Sequence, residues 1–134
     1  ALWRALDDVA GRTEHATWAG GETRTEADGR TVTSWPYPVY HPSVEALRSA
    51  IGGAGLMVAY DWPDWADLPR YRDEPALLAE APVADAVRMV VAVIRSERFS
   101  DGSLEGALTS GLLQTALARI RRWAAEHGRP DADR

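Results

Sequence analysis

Two aspartates and two tryptophans alternate in the segment Asp61-Trp62-Pro63-Asp64-Trp65. Two acids three residues apart, with a proline between them, are typical of the first turn of a short helix that Asp61 would cap. Carboxylates at this spacing share one side of a helix, so they could act as an acid–base pair or hold a divalent ion. The more common alternative is a capped helix whose two tryptophans pack in the core or form one aromatic wall.

Two arginines lie in or beside an apolar helical stripe. The stripe consists of Val83, Val87, Val90, Val91 and Ile94. Continuing it by four residues reaches Arg98, and Arg95 falls on its edge. An arginine inside such a stripe is costly unless it is paired, so we predict an ion pair between Arg98 and Asp61. The alternatives are a pair with Asp101, contact with backbone carbonyls, or an arginine fork that binds the carboxylate or phosphate of a ligand.

Aromatic residues and prolines also alternate in the segment Trp35-Pro36-Tyr37-Pro38-Val39-Tyr40. A residue that precedes proline is pushed out of the helical region, so this segment is predicted to be extended. It could be a strap that packs across the helices, which is the more common case. It could also be the rim of a binding groove, since Tyr37 and Tyr40 combine apolar area with a polar tip.

The order of these motifs resembles a family of small bacterial proteins that is catalogued only as a domain of unknown function. The family signatures are PYxxY, (F/Y)DWxxW and RxxRFxxGxL, and the resemblance spans roughly residues 35 to 120. The resemblance implies no activity, but it implies that the motif residues belong to one site. The predicted ligand-binding residues are Tyr37, Tyr40, Asp61, Trp62, Trp65, Arg95, Arg98 and Phe99.

Composition excludes several classes of protein. The chain has 134 residues and no cysteine, which excludes disulfide frameworks, thiolate metal sites and cysteine nucleophiles. All 15 basic residues are arginine, a bias typical of a GC-rich bacterial genome, and the net charge is −5. An acidic chain does not attract a phosphate backbone over long range, so nucleic-acid binding is disfavoured. No apolar run is long enough for a transmembrane helix and no secretory signal is visible, so we expect a cytoplasmic protein.

Sequence motifs for metals, cofactors and catalysis are also missing. His15, His41 and His127 are scattered, and none has a second histidine or an acid at metal-ligand spacing. The chain contains no Walker loop, no GxSxG, no HExxH and no GxGxxG before a helix. We therefore expect no metal and no cofactor.

Periodicity predicts a mainly α fold, a compact helical domain with a minor β hairpin or short strands. Helices are expected over residues 2–10, 43–51, 83–99 and 103–127, with a further helical turn after Pro75. The last two should form an antiparallel pair that turns at Asp101-Gly102, while the first two cover one face. A hairpin turning at Asp28-Gly29 and a buried strand or buried extended stretch over Leu56–Tyr60 are also expected.

These patterns predict a single globular domain over residues 1–128, followed by a polar tail over residues 129–134. They favour a non-catalytic binding module whose aromatic and arginine-lined site holds a peptide, a partner protein or a small anionic ligand. The alternative is a small enzyme in which Asp61 or Asp64 is the acid–base and Arg95 and Arg98 clamp an anion. Six tryptophans are generous for so small a core, so an exposed one would mark an interface, for example of a homodimer.

Overall fold

The computed structural model describes residues 1–128, so the predicted tail over residues 129–134 lies outside the described part. The fold is mainly α with two short two-stranded antiparallel sheets, as predicted. The α-helices are α1 (Leu2–Ala10), α2 (Pro42–Gly53), α3 (Leu68–Asp73), α4 (Val83–Ser96), α5 (Ser103–Ser110) and α6 (Leu112–Glu126). Two 3-10 helices span Trp62–Asp64 and Pro75–Glu80, and the strands are β1 (Ala16–Ala19), β2 (Thr23–Thr25), β3 (Thr31–Thr33) and β4 (Tyr37–Tyr40).

Helices α4 and α6 form the centre of the core and run antiparallel. Arg119 of α6 donates a 2.8 Å hydrogen bond from Nε to the carbonyl of Ala81, just before α4 begins. At the opposite end, Leu112 of α6 lines the same cavity as Val93 and Ser96 from the end of α4. The predicted antiparallel pairing is therefore present, although α5 lies between the two helices in the chain.

The buried face of α4 differs by about one residue from the predicted stripe. Val83, Val87 and Ile94 are only half-buried, and the fully buried positions are displaced toward the preceding residues of the helix. The buried residues of α4 are Ala86, Met89, Val90, Val91, Ala92, Val93 and Ser96. At helical spacing this face continues to Glu97 and leaves Arg98 at its margin.

The segment predicted as one helix over 103–127 is two helices that meet at Gly111. Gly111 has φ +81, a left-handed conformation that ends α5 and that glycine adopts without the steric cost a Cβ would add. The Nε2 amide of Gln114 crosses the break and donates to the carbonyl of Leu108 at 2.8 Å. The prediction failed here because apolar periodicity continues on both sides of a glycine.

Helices α1 and α2 pack against each other, and α1 also contacts α6. The buried face of α1 comprises Leu2, Trp3, Ala5, Leu6 and Val9. His41 caps α2, because its Nδ1 accepts a hydrogen bond from the backbone N–H of Ser43 at 3.1 Å. The two predicted helices thus cover one face of the core, as expected.

Residues 16–40 form a two-part β arm, in which β1 pairs with β4 and β2 pairs with β3. The arm turns at Asp28-Gly29, as predicted. Gly29 has φ +88, and the Asp28 carboxylate accepts a 3.0 Å hydrogen bond from the backbone N–H of Arg30. The extended conformation predicted for the Trp35–Tyr40 segment ends in strand β4.

Two local predictions are wrong. Residues 56–60 are not a buried strand or buried extended stretch, because the segment pairs with no strand among residues 1–128 and Val58 and Ala59 are exposed. Asp61 occupies the N-cap position of the 3-10 helix Trp62–Asp64, but its side chain makes no capping hydrogen bond.

No helix among residues 1–128 has the length and apolar character needed to cross a membrane.

Candidate binding groove

A cavity of about 600 Å³ lies beside the C-terminal end of α4. We call it the arginine groove, because arginines from two helical regions line it. Its wall consists of Arg48, Met57, Trp62, Ile94, Arg95, Glu97, Arg98, Phe99 and Asp101. Four of the predicted site residues are therefore together: Trp62, Arg95, Arg98 and Phe99. The other four, Tyr37, Tyr40, Asp61 and Trp65, do not line this groove.

Two guanidinium groups in the groove have no protein partner among residues 1–128. The side chains of Arg95 and Arg98 are exposed, and neither makes an ion pair or hydrogen bond with the described part of the chain. Arg48, in contrast, reaches Glu45 of its own helix at 3.3 Å. The C-terminal end of α4 carries a partial negative charge, which helps to hold the cation of Arg95 in the last turn. The groove thus presents unpaired donors in the fork geometry that binds carboxylate or phosphate.

The predicted ion pair between Arg98 and Asp61 is absent. Both side chains are exposed, so neither needs a buried partner. The carboxyl of Asp61 instead hydrogen-bonds that of Asp64, and this contact raises the pKa of Asp61 above its usual value. The two aspartates do lie together, as the spacing predicted, but outside the arginine groove.

Glu97, which the sequence analysis missed, is the acid buried at this end of α4. It is only 8% exposed. Its carboxylate accepts hydrogen bonds from the Tyr40 hydroxyl at 2.9 Å and from the backbone N–H groups of Gly102 at 3.1 Å and Leu104 at 2.9 Å. The signal that could have identified it is its spacing, four residues after Val93 and seven after Val90.

Tyr40 connects the β arm to this buried acid. Its hydroxyl donates to Glu97 and accepts a 3.1 Å hydrogen bond from the backbone N–H of Glu105. Burial, and then the hydrogen bond to Glu97, hold the pKa of Tyr40 well above its usual value. Trp18 of β1 provides a second contact, because its Nε1 donates to the Glu105 carboxylate at 2.6 Å. The arm therefore supports the turn that carries Arg98 and Phe99.

Trp62 and Phe99 form the aromatic part of the groove. Their ring centroids are 6.4 Å apart with the planes inclined by 33°, and Phe99 is 76% exposed. Trp65 packs away from this pair, with its ring 5.7 Å from that of Tyr71 and 6.4 Å from that of Tyr60. Trp62 thus forms its aromatic wall with Phe99, while Trp65 packs against tyrosines.

The remaining aromatic residues of the β arm face solvent. Trp35 is 88% exposed, and Tyr37 is half-exposed with its ring against Gly20. Trp35 is therefore an exposed tryptophan of the kind expected at an interface. A homodimer stays a prediction. Within residues 1–128, no three histidine, aspartate or glutamate side chains are grouped so that they could hold a metal ion.

Residues 1–126 match the model of a family described as a family of unknown function, DUF6508. No curated protein and no solved structure shows a significant similarity to the chain. The resemblance to an uncharacterised family, drawn from the sequence motifs, is thereby confirmed.

Proposed function

Since the chain belongs to DUF6508, a family of unknown function, we propose from its geometry that it is a non-catalytic module that binds a small anionic ligand in the arginine groove. The observation that carries the proposal is the position of Arg95 and Arg98 in one cavity, with no protein partner among residues 1–128. An anion placed between them would receive charge-assisted hydrogen bonds from both guanidinium groups.

The size and walls of the groove favour a small ligand over a protein partner. A volume of about 600 Å³ lies within the range of small-molecule sites, about 300–1,000 Å³, whereas protein partners usually bind flatter surfaces. Trp62 and Phe99 supply apolar area beside the arginines, so the ligand would carry an apolar face next to its anionic group. Glu97 lines the groove, but its carboxylate is occupied by the three hydrogen bonds described above.

The enzyme alternative has less support. Asp61 retains its proton more readily than an isolated aspartate because of Asp64, which is a property of general acids. Neither carboxyl lines the arginine groove, however, so an anion held by Arg95 and Arg98 would not lie against them. The proposal therefore places binding, and no reaction, in the groove.

We further propose that the protein works in a bacterial cytoplasm as one domain over residues 1–128. Arginine as the only basic residue supports a GC-rich bacterial source, and the lack of cysteine suits a reducing compartment.

Calorimetric titration with citrate at low ionic strength tests the proposed anion site. We expect citrate to bind the protein, to shift the indole NMR signal of Trp62, and to bind more weakly as salt is added. The double variant Arg95→Gln/Arg98→Gln should weaken binding at least ten-fold, because each lost charge-assisted hydrogen bond is worth about 1.5–3 kcal/mol. The control is Arg4→Gln on the exposed side of α1, which should bind like the unmodified protein. Equal citrate affinity in the double variant would contradict the proposal.

A further inference from the structure

A second cavity, of about 500 Å³, lies against the same aromatic pair as the arginine groove. Trp62 and Phe99 line both cavities, so the two spaces adjoin across these rings. Hydroxyl groups distinguish the second one, which we call the serine cavity. Its serines are Ser96, Ser100, Ser103 and Ser110.

The serines of this cavity present mainly hydrogen-bond acceptors. The hydroxyl of Ser96 donates to the carbonyl of Val93 at 3.0 Å, and that of Ser103 donates to the carbonyl of Ser100 at 2.8 Å. Ser110 donates in the same way to its own helix, at a longer 3.4 Å. With these protons used, the oxygens of Ser96 and Ser103 offer lone pairs, while that of Ser110 already accepts from the backbone N–H of Leu112 at 3.3 Å. A ligand beside Ser96 and Ser103 therefore has to supply donors.

The charges around the serine cavity indicate which kind of hydrogen-bond donor a ligand there would carry. Among residues 1–128, no aspartate or glutamate lines it, and the only ionisable side chain along it is that of Arg72. A cationic donor would have no carboxylate to meet, so the donors are neutral hydroxyl groups or amides. A peptide main chain carries as many acceptors as donors, and its carbonyls that do not reach Arg72 would face serine oxygens. A sugar ring fits better, because its hydroxyls can donate while its C–H face packs on Trp62 and Phe99.

Taking the two cavities together, we propose that the ligand is an acidic saccharide that crosses the aromatic pair. This inference rests on the proposed anion site and specifies its ligand. The carboxylate or phosphate lies between Arg95 and Arg98, and a neutral sugar unit lies in the serine cavity. Trp62 and Phe99 contact the part of the saccharide that joins the two ends.

Three probes separate the contributions of the two cavities in calorimetric titrations. Lactobionate carries a gluconate end and a galactose ring, gluconate is the anionic half alone, and methyl β-galactoside is the neutral half alone. We expect lactobionate to bind at least ten-fold more tightly than gluconate, and the galactoside to bind more weakly than either. Equal affinity for lactobionate and gluconate overturns the saccharide inference and leaves the anion site intact. If neither lactobionate nor gluconate binds, the saccharide inference and the anion site are both overturned.

Ser103→Ala removes an acceptor from the serine cavity alone. The turn that holds it should persist, because the backbone N–H of Ser103 also donates to the carbonyl of Ser100 at 3.1 Å. We expect at least a five-fold loss of lactobionate affinity and unchanged gluconate affinity, and Ser49→Ala on the exposed side of α2 is the matched control. Should Ser103→Ala lower the melting temperature, Phe99→Leu replaces it, since Phe99 is exposed and its loss should reduce the preference for lactobionate. If neither substitution changes the affinity for lactobionate, the saccharide inference is overturned.

Discussion

The hydroxyl of Tyr40 donates a 2.9 Å hydrogen bond to the carboxylate of Glu97, and so joins residues 57 positions apart in the chain. The same hydroxyl accepts from the backbone of Glu105 at the start of α5. This one side chain therefore fixes the β arm against the turn between α4 and α5. Because Arg98 and Phe99 belong to that turn, the shape of the arginine groove depends on a contact outside it.

Tyr40→Phe should destabilise the protein by about 1–3 kcal/mol, because it removes a donor to the buried carboxylate and leaves the backbone N–H of Glu105 without its acceptor. Urea unfolding measures the free-energy change. The control is Tyr37→Phe, whose exposed hydroxyl makes no hydrogen bond with residues 1–128 and whose loss should change stability by less than about 0.5 kcal/mol. Equal effects of the two substitutions would show that the Tyr40 contact does not stabilise the fold.

Alkaline pH should destabilise the protein partly through Tyr60. Its hydroxyl donates to the carbonyl of Arg88, and burial raises the pKa of Tyr60 to about 12. In the unfolded chain this phenol titrates near pH 10, so its stabilising contribution is complete below that pH and is lost as the pH rises toward 12. In Tyr60→Phe, the free energy of unfolding should therefore decline less steeply over this interval. Urea unfolding at successive pH values measures the slope, and an identical slope in both proteins would contradict the assignment.

Gly102→Ala should destabilise the protein more than Gly29→Ala. Both glycines have positive φ, +95 at Gly102 and +88 at Gly29, so both substitutions carry the cost of a left-handed residue, about 1 kcal/mol. A Cβ at Gly29 would meet open space, but one at Gly102 would lie 2.9 Å from the ring of Trp18. We expect Gly102→Ala to have the lower melting temperature and to alter the environment of the Trp18 indole. Equal melting temperatures would indicate that the β arm shifts to admit the new Cβ without a loss of stability.

Local signals predicted much of the helical framework. Periodicity found α1, α2, α4 and α6, and Asp28-Gly29 marked the turn of the β arm. The failures have physical causes: Gly111 interrupts a stripe that continues beyond it, and the apolar 56–60 segment pairs with no strand among residues 1–128. At the site, Arg95 and Arg98, which the apolar stripe singled out, line one cavity. Contacts such as Tyr40 with Glu97 join distant segments, which local patterns do not encode.

Sequence pattern and structure disagree on which of the adjacent residues Glu97 and Arg98 is buried. The apolar stripe placed Arg98 in the core, where breaking a buried ion pair costs about 3–5 kcal/mol. The structure instead exposes Arg98 and buries Glu97 with three hydrogen-bond donors. Arg98→Ala should therefore change the free energy of unfolding by less than about 0.5 kcal/mol, while Glu97→Ala should cost at least about 3 kcal/mol.

Urea unfolding of the two variants decides between these expectations. Should Glu97→Ala fail to fold, Glu97→Gln provides the comparison, because it keeps the volume and one acceptor oxygen and should cost less than the alanine variant. A large loss of stability in Arg98→Ala would mean that this arginine braces the fold. A negligible loss leaves its guanidinium free for a ligand, because a cation that contributes nothing to folding can be held unpaired at a binding site.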